Sequence, residues 1–181
     1  MPRLFFALDV PTAVRDALIA LRTEALDGAR WTKPEQLHCT LRFLGDTPEE
    51  QVPTIEAALA RIDAPPSLSL EISGLTAFPS RRRPRVLVAR VTPTNDLMDL
   101  QRQIEDAVQE LGFEPEDRPF RPHVTVARLK RADARAVHRW LRAHSVEAAF
   151  EADAFHLYAS VLKPSGAVHE RLASFALRVS R

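Results

Sequence analysis

Two short runs far apart in the chain, HCTLRFLG at 38–45 and HVTVARL at 123–129, begin alike: a histidine, a threonine two residues on, and apolar residues between and beyond. Side chains alternate across a β-strand, so His38 and Thr40 share one face while Cys39, Leu41 and Phe43 share the other. The second copy repeats this, with His123 and Thr125 set against Val124 and Val126. The chain must therefore supply two strands that are each buried on one face and offer an imidazole and a hydroxyl on the other. Sheets of that kind are antiparallel or mixed, with helices covering one side. The same parity places Arg42 on the face of His38, and Arg128 on the face opposite His123 unless the strand ends or bulges there.

The rest of the sequence fits such a sheet. RLFFALD at 3–9 alternates, with Leu4, Phe6 and Leu8 as core and Phe5 on the other face, where it lines a cleft or forms a second core layer. A proline-started helical pattern runs from 11 to 26, and Asp46 and Thr47 are placed to cap a helix over 48–62, with Pro53 in its first turn. SLSLEISGLTAFP and PRVLVARV read as strands around the basic stretch RRRPR at 81–85, which serves either as a solvated loop or as a contact for a polyanion. TNDLMDLQRQIEDAVQELG is an amphipathic helix closed by Gly112, and a further helix is expected over 132–144. AFHLYASVL and AVHERLASFAL close the chain as a hairpin about KPSG at 163–166. The expectation is one α+β folding unit over 1–181, in two lobes.

With 25 basic and 24 acidic residues the net charge is +1, so a polyanion would have to be met by a local site. Cys39 has no partner for an internal disulfide, and the apolar start of the chain is too short to span a membrane; the chain reads as cytoplasmic. Neither His-x-Thr copy brings the carboxylate or thiolate that ordinarily completes a zinc or iron site, and there is no glycine-rich phosphate loop. Two imidazoles and two hydroxyls suit phosphodiester cleavage by acid–base catalysis. One neutral imidazole takes a proton from the attacking oxygen and one imidazolium gives a proton to the leaving oxygen, both forms being accessible near neutral pH. Threonine hydroxyls and an arginine can hold the non-bridging phosphate oxygens. His138, His144 and His156 show no such pairing and read as surface or structural residues; Trp31, Tyr158 and Lys163 are candidate wall residues.

These runs, together with RLFFALDVP, RWTKPEQLHCTLRFLG, AFPSRRRPRVLVARV, RPFRPHVTVARL and LYASVLKPSGAVHERL, resemble the two-histidine phosphoesterase superfamily. The likeness is to its RNA 2′,3′-cyclic phosphodiesterases, first described as 2′,5′ RNA ligases, and it covers nearly the whole chain. His169 departs from the pattern, standing where an aromatic such as tyrosine is expected. The resemblance implies a bilobal α+β fold, two pseudo-symmetric lobes with antiparallel sheets around a central cleft, and no required metal; no cofactor is expected, and the chain is expected to act as a monomer. The resemblance further implies hydrolysis of an RNA 2′,3′-cyclic phosphate end to a 2′-phosphate. His38 would be the proton donor to O3′ and His123 the base, with Thr40, Thr125 and Arg128 on the phosphate and Phe5 and Arg42 as candidate lining residues. The alternatives are the reverse 2′,5′ ligation and a non-catalytic module that binds RNA ends.

Overall fold

The computed structural model describes residues 1–164 and 166–179. Its strands are β1 (Arg3–Asp9), β2 (Ala29–Trp31), β3 (His38–Asp46), β4 (Leu68–Pro79), β5 (Pro84–Val91), β6 (His123–Leu129), β7 (Glu147–Ala152), β8 (Ala154–Lys163) and β9 (Gly166–Ala176). Four α-helices accompany them: α1 (Thr12–Ile19), α2 (Val52–Leu59), α3 (Asn95–Glu110) and α4 (Ala134–Ala143). The strands follow one path in the order β7-β4-β5-β6-β3-β1-β8-β9, with β2 also against β6, and every strand pairing in it is antiparallel.

The middle of that path is thin. β3 and β6 meet through one residue pair, Cys39 opposite Val124, and on either side the path opens into a four-stranded half. The half carrying β3 is completed by β1, β8 and β9, so both ends of the chain contribute to it; the half carrying β6 is completed by β5, β4 and β7. This is the α+β architecture expected from the sequence.

Local chemistry explains the elements. Leu4, Phe6 and Leu8 of β1 are fully buried, and Phe5 and Ala7 on its other face are buried too, because β1 lies inside the sheet with both faces covered. In α3, Leu97, Leu100, Ile104 and Val108 fall on one helical face and none is exposed; burying side chains of this kind stabilises by about 1.5–3 kcal/mol each. The Thr94 hydroxyl caps α3 by accepting from the Leu97 N–H at 3.2 Å. Gly28, at φ +76°, lets the chain pass β6 closely: a Cβ there would lie 2.5 Å from the Lys130 carbonyl oxygen.

Several expectations are corrected. α1 stops at Ile19, because the Leu21 and Arg22 N–H groups bond three residues back to Leu18 and Ile19 and turn the chain. Leu21 and Leu26 still reach the core from the turns that follow. Thr47 and Asp46 do not cap the next helix: the Thr47 hydroxyl donates to the Gly45 carbonyl, Asp46 pairs with Arg3, and α2 begins only at Val52 with Pro53 in its first turn. β2 and β7 are strands where none was expected. The KPSG turn includes Ser165, which lies outside the described residues.

Candidate active site

Cys39 and Val124 are each the middle residue of a His-x-Thr motif, and they lie opposite one another on antiparallel strands. The register therefore sets His38 across from Thr125 and Thr40 across from His123, all four on one face. The two histidines become diagonal neighbours, with Cα atoms roughly 7–8 Å apart. Behind them Cys39 and Val124 have no exposure, and burial pushes the Cys39 thiol up to about 12, against a backbone hydrogen bond at His123 that pulls it down. Cys39 is an inert part of the core.

Both imidazoles are oriented by the same device. His38 Nδ1 lies 2.7 Å from the Gln36 carbonyl oxygen, and His123 Nδ1 lies 2.7 Å from that of Arg121, in each case two residues back. A carbonyl can only accept, so Nδ1 carries the hydrogen in both rings and Nε2 is the atom that gains or loses a proton. His38 Nε2 lies 3.0 Å from the Thr40 hydroxyl, which donates to the neutral ring. Each ring also rests on an aromatic: His38 on Phe5 (centroids 4.9 Å apart) and His123 on the edge of Phe78 (5.0 Å).

Burial lowers the pKa of both histidines. That of His38 falls from the ordinary 6.5 to about 4, chiefly through desolvation, and that of His123 is lowered for the same reason. Charged neighbours act on both: His169 and His123 hold the His38 value down while the Asp9 carboxylate draws it back up, and the Arg121 guanidinium holds the His123 value down.

A bulge in each strand then decides which residues join this face. In β6, Leu87 and Val88 of β5 face Ala127 and Thr125, so Val126 is the extra residue. In β3, Phe6 and Ala7 of β1 face Arg42 and Thr40, so Leu41 is the extra residue at the equivalent place. Each bulge reverses the alternation after the threonine. Arg128 thereby turns onto the face of His123 and Thr125, where it lines a cleft of about 510 Å³ with the two His-x-Thr pairs. The same reversal corrects two readings by strict parity. Phe43 leaves the core and stands 47% exposed at the rim of the cleft. Arg42, expected beside His38, is instead 6% exposed and pairs with Glu105 and with Glu116 at 2.8 Å, its guanidinium also donating to the Phe43 and Glu114 carbonyls. It is held as a structural cation.

Phe5 is in the cleft but only 3% exposed, packed among His38, Tyr158 and His169. It forms a floor under His38 and leaves little ring free to stack on a base. His169, unusual in the sequence, sits at its other edge and meets His38 with ring centroids 5.3 Å apart; burial lowers its pKa as well. Trp31 lines the cleft, its indole N–H donating to the Thr23 carbonyl. Tyr158 donates to Asp9, which also receives Arg171, and Lys163 pairs with Glu170. His144 stacks on Trp140, His156 bonds Ser174, and His138 is exposed; none reaches the cleft. Among the described residues, no cluster of three or more His, Cys, Asp or Glu side chains is arranged to hold a metal ion, and no helix is long and apolar enough to cross a membrane.

The sequence also matches known proteins. The family model for LigT like phosphoesterases matches it twice, over residues 8–88 and 91–169, once across each His-x-Thr strand. The RNA 2′,3′-cyclic phosphodiesterase of Archaeoglobus fulgidus is 33% identical over 177 residues, covering 96% of this chain and 99% of that one. That of Thermus thermophilus is 36% identical over 187 residues, covering 97% and 90%. Among solved structures, a Thermus thermophilus protein superposes with a TM-score of 0.82 at 30% identity over 99% of this chain and all of the other. Escherichia coli LigT, in its complex with NADP+, superposes with a TM-score of 0.75 at 25% identity over 98% of each chain.

Proposed function

Given that the chain belongs to the LigT like phosphoesterase family, we propose that it hydrolyses the 2′,3′-cyclic phosphate at an RNA 3′ end to a 2′-phosphate, without a metal. The observation that carries the reading is the crossing of the two motifs at Cys39 and Val124, which gathers two Nε2 atoms and two hydroxyls on one cleft face. Water attacks phosphorus as His123 Nε2 takes its proton. The P–O3′ bond breaks as O3′ receives a proton from His38 Nε2, so one water is consumed and the phosphate remains on O2′. Thr40, Thr125 and Arg128 donate to the non-bridging oxygens as charge grows on them.

Roles are assigned to the histidines by their surroundings. The Asp9 carboxylate favours a charged His38, against the opposing effect of His169 and His123, and Arg121 favours a neutral His123, the states that an acid and a base require before reaction. His38 is uncharged in the empty cleft at neutral pH. An anionic phosphate beside it supplies the missing counter-charge, and in a buried site that attraction is strong. His123, the more open of the two, is the one that water can reach.

The reading is tested by incubating the protein, in EDTA, with an oligoribonucleotide ending in a 2′,3′-cyclic phosphate, and assigning the product by phosphorus NMR. A 2′-monophosphate is expected. A 3′-monophosphate, or turnover that appears only when metal is restored, would refute it. Binding of the RNA end without turnover would favour a non-catalytic end-binding module.

A further inference from the structure

A second cavity, of about 650 Å³, adjoins the cleft at its His123 side and shares Thr40, Phe43 and His123 with it. Its outer walls come from Phe78 and Pro79 at the end of β4, Arg85 at the start of β5, and Arg118, Phe120 and Arg121 from the segment that leads into β6. The charge here is one-sided. Arg121 lies over the Phe78 ring at 4.2 Å, and Arg85 and Arg118 have no carboxylate within ion-pair distance among the described residues. The one acidic lining residue, Glu116, is engaged by Arg42. β4 and β5 continue from these walls into the hairpin at 80–83, where Arg81, Arg82 and Arg83 are all exposed.

Aromatic faces beside arginines without acidic partners match a single-stranded nucleic acid, whose bases stack and whose phosphodiesters seek cations. The volume suits a nucleotide. Resting on the reaction proposed above, we propose that this cavity is a subsite for the nucleotide on the 5′ side of the reacting end. Its base lies against Phe78 and Phe120, its phosphodiester meets Arg85 and Arg118, and the chain leaves along Arg81–Arg83. The basic stretch in the sequence thus has a use that the proton transfers do not require. The subsite makes the protein select RNA ends over free cyclic mononucleotides.

The test compares kcat/KM for adenosine 2′,3′-cyclic phosphate with that for a trinucleotide bearing the same end, in the native protein and in Arg85→Gln/Arg118→Gln. The native protein is expected to prefer the trinucleotide by about tenfold or more, and the double variant to lose most of that ratio. Each phosphate contact removed should also flatten the dependence of log kcat/KM on log salt by about 0.7 for the trinucleotide. Equal use of the two substrates by the native protein, or a preference that survives in the variant, would overturn the subsite. If neither substrate is turned over, it is the proposed reaction that fails. The subsite is then judged by fluorescence anisotropy with a labelled trinucleotide: weaker binding to the double variant supports it, and unchanged binding overturns it.

Discussion

The depressed pKa of His38 makes the protein sensitive to acid in a way that one substitution should remove. Unfolded, the imidazole titrates near 6.5; folded, burial holds it at about 4. Between those values the unfolded chain binds a proton that the folded protein refuses. The stabilising contribution is therefore complete above pH 6.5, and is lost as pH falls toward 4. At about pH 4.5 the two pKa values correspond to a loss of about 2.5 kcal/mol from this group alone, at about 1.4 kcal/mol per pH unit of difference. His38→Gln cannot charge, and its amide retains a donor for the Gln36 carbonyl that His38 engages. Urea unfolding of both proteins at about pH 7.5 and pH 4.5 isolates the effect, since the other lowered histidines, His123, His156 and His169, are common to both. The native protein should lose about 2.5 kcal/mol more than His38→Gln between the two pH values. Equal losses would show that burial does not control the His38 proton, and the argument for its recharging by bound phosphate would fall with it.

Other consequences are as direct. Replacing His169 by Phe keeps a ring against Phe5 but removes the charge that, when present, opposes a proton on His38; the His38 pKa followed by NMR should rise, and an unmoved titration would refute the coupling. Arg42→Met should destabilise by about 3–5 kcal/mol, because it leaves the mostly buried Glu105 carboxylate without its cation; Arg42→Met/Glu105→Gln should recover part of that, and a single variant as stable as the native protein in a denaturant melt would contradict the structural role. Arg128→Leu should lower kcat/KM on a cyclic-phosphate oligonucleotide by about 10² or more; an unchanged value would mean that the bulge brings Arg128 to the cleft without bringing it to the phosphate. Sulfate, a phosphate mimic that stays a dianion at this pH, should bind with net proton uptake near pH 6.5, read as a buffer-dependent heat in calorimetry, and buffer-independent heats would show that no histidine is recharged.

The sequence made the core of this site legible and the periphery illegible for one physical reason. His38, Thr40, His123 and Thr125 lie within three residues of a strand start, where alternation is reliable, and the structure brings all four to one face. Just beyond each threonine one extra residue reverses the alternation, with a second irregularity at Leu44 in β3, and neither Leu41 nor Val126 is a glycine or bears any other local mark of a bulge. The positions of Arg42, Phe43 and Arg128 were therefore unreadable by parity. The repeat itself held the clue, since the basic residue sits one place earlier in the first copy than in the second. β7, written EAAFEA, lacks the β-branched residues that signal a strand and is held by pairing with β4. α1 ends where two bonds reaching three residues back turn the chain, and the segment that follows is tied to β2 through the Trp31 indole and the Thr23 carbonyl, neither of which the apolar spacing shows.

The central claim is that His38 and His123 move the protons. Single-turnover cleavage of a cyclic-phosphate oligonucleotide in EDTA by the native protein, His38→Ala and His123→Ala, with RNA binding measured alongside, addresses it most directly. Each substitution should slow cleavage by about 10² or more while the RNA end is still bound. Either variant cleaving at a rate close to the native one would contradict the account.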